Sequence, residues 1–174
     1  MKLYEFEGKK PEIAPGAYVH PEAILIGGVS IADNCYIGPG AVLRADWGFI
    51  VVERDSNIQE NCVIHAAPDV TALLGPASHI GHGAIIHGVN LGRHVSIGMG
   101  AIIDEETEIG DECIIGASCF IPRGTKIPAL KVVIGIPARI VGDVSDEQRE
   151  YTKWATDVYK KLPARCHKGL HKIE

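Results

Sequence analysis

The chain is poor in aromatic residues, which make up 6% of its 174 positions, and it contains no apolar run long enough to cross a bilayer. No basic cluster is present, and 17 Lys and Arg against 22 Asp and Glu give a net charge of −5. Nucleic acid and anionic membrane surfaces are therefore not expected partners. Because the N-terminal residues lack the apolar segment of a secretory signal, we predict a cytoplasmic protein.

The five cysteines include no C-x-x-C pair, which argues against a zinc finger or a redox motif. Four of them share one small-residue position of the repeat described below: Cys35, Cys62, Cys113 and Cys119. We interpret these four as small core residues. Cys166 lies outside the repeat, and no role is assigned to it.

What the chain does contain is a six-residue repeat. An Ile, Leu or Val recurs at 19, 25, 31, 37, 43, 58, 64, 80 and 86 and then, after a slip of one residue, at 91, 97, 103, 109, 115, 121 and 127. Such repeats are typical of parallel β-helices, in which three units make one triangular coil. We predict a left-handed β-helix; crossovers are normally right-handed, so the handedness rests on similarity to known hexapeptide repeats.

The repeat divides the chain into a lead-in over residues 1–17, the β-helix over 18–142, and a C-terminal helix with its tail over 143–174. Ser145 and Gln148 have the spacing of a capping box, which predicts a helix start. An apolar stripe at helical spacing follows, and we expect Pro163 to end a single helix at about residue 162.

Three histidines have positions that the repeat fixes. His65 and His87 each follow an inward aliphatic residue, one coil apart if a small insertion lies near residues 75–77. Their imidazoles should then stack about 4.8 Å apart, as residues on adjacent strands do. That separation allows both rings to bind one metal ion at about 2.0–2.1 Å.

His82 lies on the preceding face of the prism and should not meet the other two histidines within one chain. We therefore predict a homotrimer, in which each chain gives two ligands and its neighbour gives the third. This arrangement has one metal ion per subunit, at the interface. Three imidazoles suit zinc, with iron(II) or cobalt(II) as alternatives, and they leave a position open for water. His20 and His94 are expected to be solvated surface residues, with His79 as a further candidate.

The chain resembles the γ-class carbonic anhydrases over essentially its whole length. Three stretches carry the resemblance: Leu43–Asp46, Asn57–His65 and Gly81–Gly88. Within that family the chain is most similar to the phenylacetate-degradation and carnitine-operon accessory proteins. The resemblance implies that His65, His82 and His87 bind the metal, with His82 given by the adjacent subunit. It implies reversible hydration of carbon dioxide to bicarbonate by a metal-activated water.

The resemblance also assigns roles near the metal. It implies that Arg44 and Asp46 form an ion pair across the trimer interface, and that Gln59 hydrogen-bonds the metal-bound hydroxide or bicarbonate. Trp47 stands where the archaeal prototype has a proton-carrying glutamate, and the loop over 66–78 has Asp69 as its one acid. Slow hydration is therefore expected.

Two residues are weaker candidates for moving protons. Glu60 is better explained as an ordinary surface or interface acid, and Tyr159 is at least as well explained as a packing residue of the C-terminal helix. Two other functions stay open: a CoA-thioester hydrolase or hexapeptide acyltransferase accessory to a catabolic pathway, and a non-catalytic metal-binding trimer. Acyltransferases of this fold usually use one histidine without metal, so three spaced histidines argue against the transferase.

Overall fold

The six-residue repeat produces short parallel strands that stack along three faces of a prism. This architecture is seen in a computed structural model that describes residues 1–173. The strands are β1 Lys2–Tyr4, β2 Glu12–Ile13, β3 Tyr18–Val19, β4 Ile24–Ile31, β5 Tyr36–Ile37, β6 Val42–Val52, β7 Asn57–Ile58, β8 Val63–His65, β9 Thr71–Leu74, β10 His79–Ile80, β11 Ile85–His87, β12 Asn90–Leu91, β13 Ser96–Ile97, β14 Ile102–Ile103, β15 Glu108–Ile109, β16 Ile114–Ile115, β17 Phe120–Ile121, β18 Lys126–Ile127, β19 Lys131–Ile134 and β20 Arg139–Asp143. The helices are α1 Asp146–Tyr159 and α2 Leu162–Gly169.

We call the three faces of the prism by the strands that form them. Face 1 holds β8, β11, β14 and β17 with the first halves of β4 and β6, and face 2 holds β9, β12, β15 and β18 with their second halves. Face 3 holds β3, β5, β7, β10, β13, β16 and β19 in parallel, which gives seven coils. β20 pairs antiparallel with β19. The predicted left-handed β-helix is confirmed.

The core is the column of inward aliphatic side chains that the period predicts. Leu43, Ile64 and Ile86 stack on face 1, and each is 0% exposed. Each such burial stabilises the fold by about 1.5–3 kcal/mol. The four cysteines of the repeat are buried as predicted and carry free thiols. At one corner the coils approach so closely that only glycine fits: a Cβ on Gly27 would lie 2.3 Å from the carbonyl oxygen of Ala45.

The small insertion lies earlier than predicted. In the coil that follows His65, the inward residue on face 2 is Leu74, which pairs with Val52 and Leu91, whereas Val70 is 38% exposed. The extra residues therefore precede β9, and residues 75–77 form a corner like the others. Counting by six predicted Val70 as the inward residue because Val70 is also aliphatic. The strand β9 pairs with the second half of the long strand β6, and this pairing places Leu74 opposite the buried Val52.

The C-terminal segment forms two helices instead of one. Ser145 and Gln148 make the predicted capping box at the start of α1. Pro163 does not end that helix; α1 stops at Tyr159, and Pro163 lies in the first turn of α2, where a proline's missing N–H costs nothing. α2 packs on the first coil, with His167 Nε2 3.1 Å from the carbonyl oxygen of Ala17. Within residues 1–173, no helix is long and apolar enough to cross a membrane.

Candidate metal centre

His65 and His87 end the neighbouring strands β8 and β11 on face 1 and are paired residue against residue. Their ring centroids lie 4.7 Å apart with planes 17° from parallel, and His87 Nε2 is 2.7 Å from His65 Nδ1. The predicted stacked register is therefore present. Two ring nitrogens are directed at each other on a half-buried surface, and such a pair fits a divalent ion that prefers nitrogen ligands.

Asp46 and Arg44 extend this arrangement along β6. Asp46 Oδ1 lies 3.0 Å from His65 Nε2, and the Arg44 guanidinium donates to Asp46 Oδ2 within the same chain. Burial acts to raise the pKa of Asp46, but hydrogen bonds from Arg44 and His65 outweigh it and leave that pKa lowered. Burial lowers the pKa of His65, which favours the neutral imidazole that a metal requires. We name Arg44, Asp46, His65 and His87 the pair half-site.

Two acids that the sequence interpretation missed lie beside His87. Asp104, Glu105 and His87 place one ligand atom each within 4.8 Å of one another, and Glu105 Oε1 is 3.5 Å from His87 Nδ1. The repeat contained the signal: Ile103 pairs with Ile86, so the residue after Ile103 stacks on the residue after Ile86. Carboxylates beside a ligating histidine orient its ring.

His82 lies elsewhere in the chain, at the corner that follows β10. Its Nδ1 forms a short contact with Glu60 Oε2, and the other oxygen of Glu60 accepts a hydrogen bond of 3.1 Å from the Tyr36 hydroxyl. Within residues 1–173, the three predicted metal ligands do not form one cluster. His82 is half exposed, with 47% of its side chain accessible, and is available to a second molecule.

Gln59 lies near His82 and away from the pair half-site of His65 and His87. It is 2% exposed, and its Nε2 lies 3.0 Å from Asn57 Oδ1 and 2.8 Å from His79 Nε2. Asn57 Nδ2 is 3.2 Å from His79 Nδ1, and the Tyr159 ring meets the His79 ring edge-on at 5.1 Å. We name Gln59, His79, His82 and Tyr159 the groove half-site.

His79 is not a solvated surface histidine, so that candidate assignment is wrong. The ring is half-buried beneath α1, and burial lowers the pKa of His79 to about 4. His94 is also half-buried, and burial lowers its pKa. His20 accepts a hydrogen bond from the backbone of Glu22 at a corner. The sequence pattern gave no reason to separate these histidines, because packing of the C-terminal helices decides which is covered.

A groove of about 400 Å³ separates α1 from face 3. Its polar end holds Gln59, His79 and His82, and its apolar walls include Met99, Trp154 and Val158. Met99 and Trp154 are 58% and 61% exposed. The groove therefore joins a polar cluster to an open apolar surface.

Fold and repeat together define the class: the chain is a hexapeptide-repeat β-helix protein. The family model described as bacterial transferase hexapeptide (six repeats) matches residues 10–45 and 88–123. Carnitine operon protein CaiE of Escherichia coli K12 is 40% identical over 174 residues, which is 100% of this chain and 89% of that relative. The chain belongs to the family of CaiE, and the predicted resemblance to the carnitine-operon branch is confirmed.

Two solved structures share the whole fold. One, from Bacillus cereus and described as a candidate acetyltransferase, superposes with a TM-score of 0.94 at 28% identity and covers 98% of both chains. The other, a hexapeptide transferase family protein from Anaplasma phagocytophilum, gives a TM-score of 0.90 at 28% identity and covers 94% of this chain and 96% of its own.

Proposed function

We propose that this chain is a metal-dependent enzyme that hydrates carbon dioxide at a centre assembled between two copies of itself. The observation that carries the proposal is the stacked pair His65 and His87, whose nitrogens converge at 2.7 Å. Two nitrogens on one face leave the ligand set short of the three that catalytic zinc sites use. His82 of a second copy supplies the third.

An apolar column beside the pair half-site supports the second copy. Val63, Ile85 and Ile102 are adjacent outward residues of face 1 and are 38%, 45% and 44% exposed. Water-exposed aliphatic columns of this kind mark association surfaces. Because the column and the two histidines share one face, a neighbour that covers the column also reaches the histidines.

The residues of both half-sites have complementary tasks in this proposal. A zinc, iron(II) or cobalt(II) ion, when bound, supplies the charge that lowers the pKa of water toward neutrality. Asp46 holds His65 by its Nε2, and Glu105 lies against Nδ1 of His87, so both rings keep one orientation. The Gln59 amide lies at the polar end of the groove and orients the reacting group.

A second candidate function is cleavage or transfer of a CoA-linked acyl group. The apolar walls of the groove end at Gln59 and His82, and the superposable Bacillus cereus protein is described as a candidate acetyltransferase. An acyl chain lying along Trp154 and Val158 would place its carbonyl group near these polar side chains. This chemistry needs the groove half-site and does not need His65.

One experiment separates the two candidates. Protein loaded with zinc, iron(II) or cobalt(II) is assayed by stopped flow for carbon dioxide hydration and, in parallel, for acetyl-CoA hydrolysis and acetyl transfer. We expect hydration that disappears in His65→Ala and survives in His20→Ala. Acetyl-CoA turnover that survives in His65→Ala, together with no carbon dioxide hydration by the loaded wild type, would reject hydration in favour of the second candidate. A fully loaded trimer without either activity would support a non-catalytic metal-binding protein.

A further inference from the structure

Asn57, Gln59 and His79 form a closed loop of three contacts on face 3. One corner of the loop is Gln59 Nε2, which touches both Asn57 Oδ1 and His79 Nε2. The loop closes where Asn57 Nδ2 meets His79 Nδ1 at 3.2 Å. Asn57 and Gln59 are 1% and 2% exposed, so water has little access to these contacts and losing one costs free energy.

The loop restricts the proton state of His79. With the nitrogen of Gln59 at the shared corner, Gln59 donates to Asn57 and to His79 Nε2, and Asn57 donates to Nδ1; both ring nitrogens would then have to accept. Turning both amides by 180° reverses every donor, and both ring nitrogens would then have to donate. A neutral imidazole has one donor and one acceptor, so it satisfies two of the three contacts in either arrangement.

The weakest contact is the one that the neutral ring gives up. His79 is neutral near pH 7, because burial lowers its pKa to about 4. Because Gln59 Nε2 occupies the shared corner in the structure, His79 Nε2 accepts and the ring proton lies on Nδ1. Gln59 then keeps its hydrogen bonds of 3.0 and 2.8 Å, and the contact of 3.2 Å between Asn57 and His79 is lost. The side-chain oxygen of Gln59 makes no hydrogen bond to residues 1–173, and Gln59 lines the groove.

We propose that His79 is a positioning residue: its neutral ring, protonated on Nδ1, holds the Gln59 amide so that the oxygen, not the nitrogen, faces the groove. The opposite tautomer would accept the reversed amide and present N–H groups instead. Tyr159 keeps the ring in place, because its own ring lies edge-on against His79 at 5.1 Å. The catalytic consequence rests on the proposed function, in which an acceptor at this point orients the attacking O–H group.

Two substitutions of His79 form a matched pair. In His79→Gln the new amide group occupies the position of Nε2 and keeps a partner for Gln59, whereas in His79→Asn it occupies the position of Nδ1 and does not. We expect kcat for carbon dioxide hydration to stay within about threefold in His79→Gln and to fall about 10–100-fold in His79→Asn, since small misplacements cost about that much. KM, metal content and oligomeric state should be unchanged in both. Equal kcat values in the two variants would overturn the proposal.

A spectroscopic measurement tests the positioning without any activity. In protein with ¹⁵N-labelled histidine, long-range ¹H–¹⁵N spectra should show His79 as the Nδ1–H tautomer with a hydrogen-bonded, unprotonated Nε2. Gln59→Leu removes the donor and should shift the Nε2 resonance, whereas Gln148→Leu in α1 should not. An Nε2–H tautomer, or a resonance insensitive to Gln59→Leu, would overturn the proposal. Wild-type protein that shows the expected resonances but hydrates no carbon dioxide would reject the proposed function alone.

Discussion

The pair half-site and the groove half-site are built by different parts of the fold. His65 and His87 are brought together by strand register alone, because each follows an inward aliphatic residue on face 1. Gln59 and His79 lie on face 3, and their surroundings are completed by Tyr159 from a helix about eighty residues further along the chain. A repeat therefore specifies a stacked histidine pair locally, whereas the surface proposed to orient a substrate needs long-range packing.

The two half-sites also differ in charge. Asp46 and Glu105 flank the histidine pair, so a divalent cation there is offset by nearby carboxylates. Gln59 contacts the Asn57 amide and the His79 imidazole, and the Tyr159 ring packs on that imidazole. Glu60 is engaged by His82 and Tyr36. This division favours binding of the ion by one copy and orientation of a small uncharged substrate by its neighbour.

The largest expected effect comes from breaking one half-site at a time. Replacing His65, His82 or His87 by Ala should reduce bound metal from one ion per chain to almost none, whereas His20→Ala and His94→Ala should leave it unchanged. Elemental analysis after dialysis measures this. Equal metal in all five variants would reject the ligand assignment.

Mixing two of these variants tests whether the site is shared. In a threefold assembly of His65→Ala and His82→Ala chains, every mixed trimer keeps one interface with an intact pair and an intact His82. Random co-refolding at equal amounts should therefore restore about a quarter of the wild-type metal, because pairing around the ring is head to tail. No recovery would place all three ligands in one chain.

In the proposed assembly the apolar column lies between the two half-sites of neighbouring copies, and Ile85→Asp should separate them. A carboxylate placed between Val63 and Ile102 would be buried without a partner in the assembly, which costs several kcal/mol per interface. We expect light scattering to show a monomer that binds metal poorly. Ile140→Asp is the control, because Ile140 is similarly exposed, at 49%, on β20. A trimeric Ile85→Asp protein would place the interface on another face.

Acid should lower the free energy of unfolding, because His79 in the groove half-site is buried in its neutral form. The pKa of His79 lies near 4 in the folded chain, against about 6.5 for an unperturbed histidine, so the unfolded chain binds more protons between these values and stability falls as pH drops from 6.5 to 4. Burial is the main cause, and His82 and His94 act in the same direction. The full loss is on the order of 3 kcal/mol. Tyr159 faces the ring but does not titrate in this range.

His79→Gln removes this titration, so its free energy of unfolding should fall less than that of wild type between pH 7.5 and 4.5. Urea unfolding of metal-free protein measures both, and His20→Gln serves as the surface control. Parallel losses in wild type and His79→Gln would contradict a buried neutral ring.

Asp46→Asn tests the pair half-site more gently. The amide keeps the shape of Asp46 but not the charge that holds His65 and Arg44, and loss of such a partner typically lowers metal affinity about 10–100-fold. Competition with a chromophoric chelator measures the affinity. Asp69→Asn is the control, because Asp69 is exposed in the nearby loop. Equal affinities would show that Asp46 does not hold the ligand.

The features set by strand register could be predicted from the sequence, and those set by long-range packing could not. The stacked histidines came from counting residues. Asp104 was available to the same count, since it follows Ile103 as His87 follows Ile86, and Glu105 is the next residue. The position of Leu74 was missed because Val70 is an equally good aliphatic candidate. The loop of Asn57, Gln59 and His79 was not predictable, because it depends on rotamers on adjacent coils and on where α1 packs.

The smallest expected effect concerns proton transfer out of the pair half-site. Trp47 follows Asp46, is 61% exposed and carries no titratable group, and Glu60, beside the groove half-site, is already held by His82. A positioned acid–base group is worth about 10²–10⁴-fold, so hydration without one should be slow and limited by proton removal. Added imidazole buffer should then raise kcat about tenfold, a part of that range, while kcat/KM stays nearly constant because carbon dioxide attack precedes the proton step. Stopped-flow assays over a buffer series at fixed pH and ionic strength measure both constants. Fast turnover already in weak buffer would show that an acid such as Glu105, which lies beside His87, carries the proton instead.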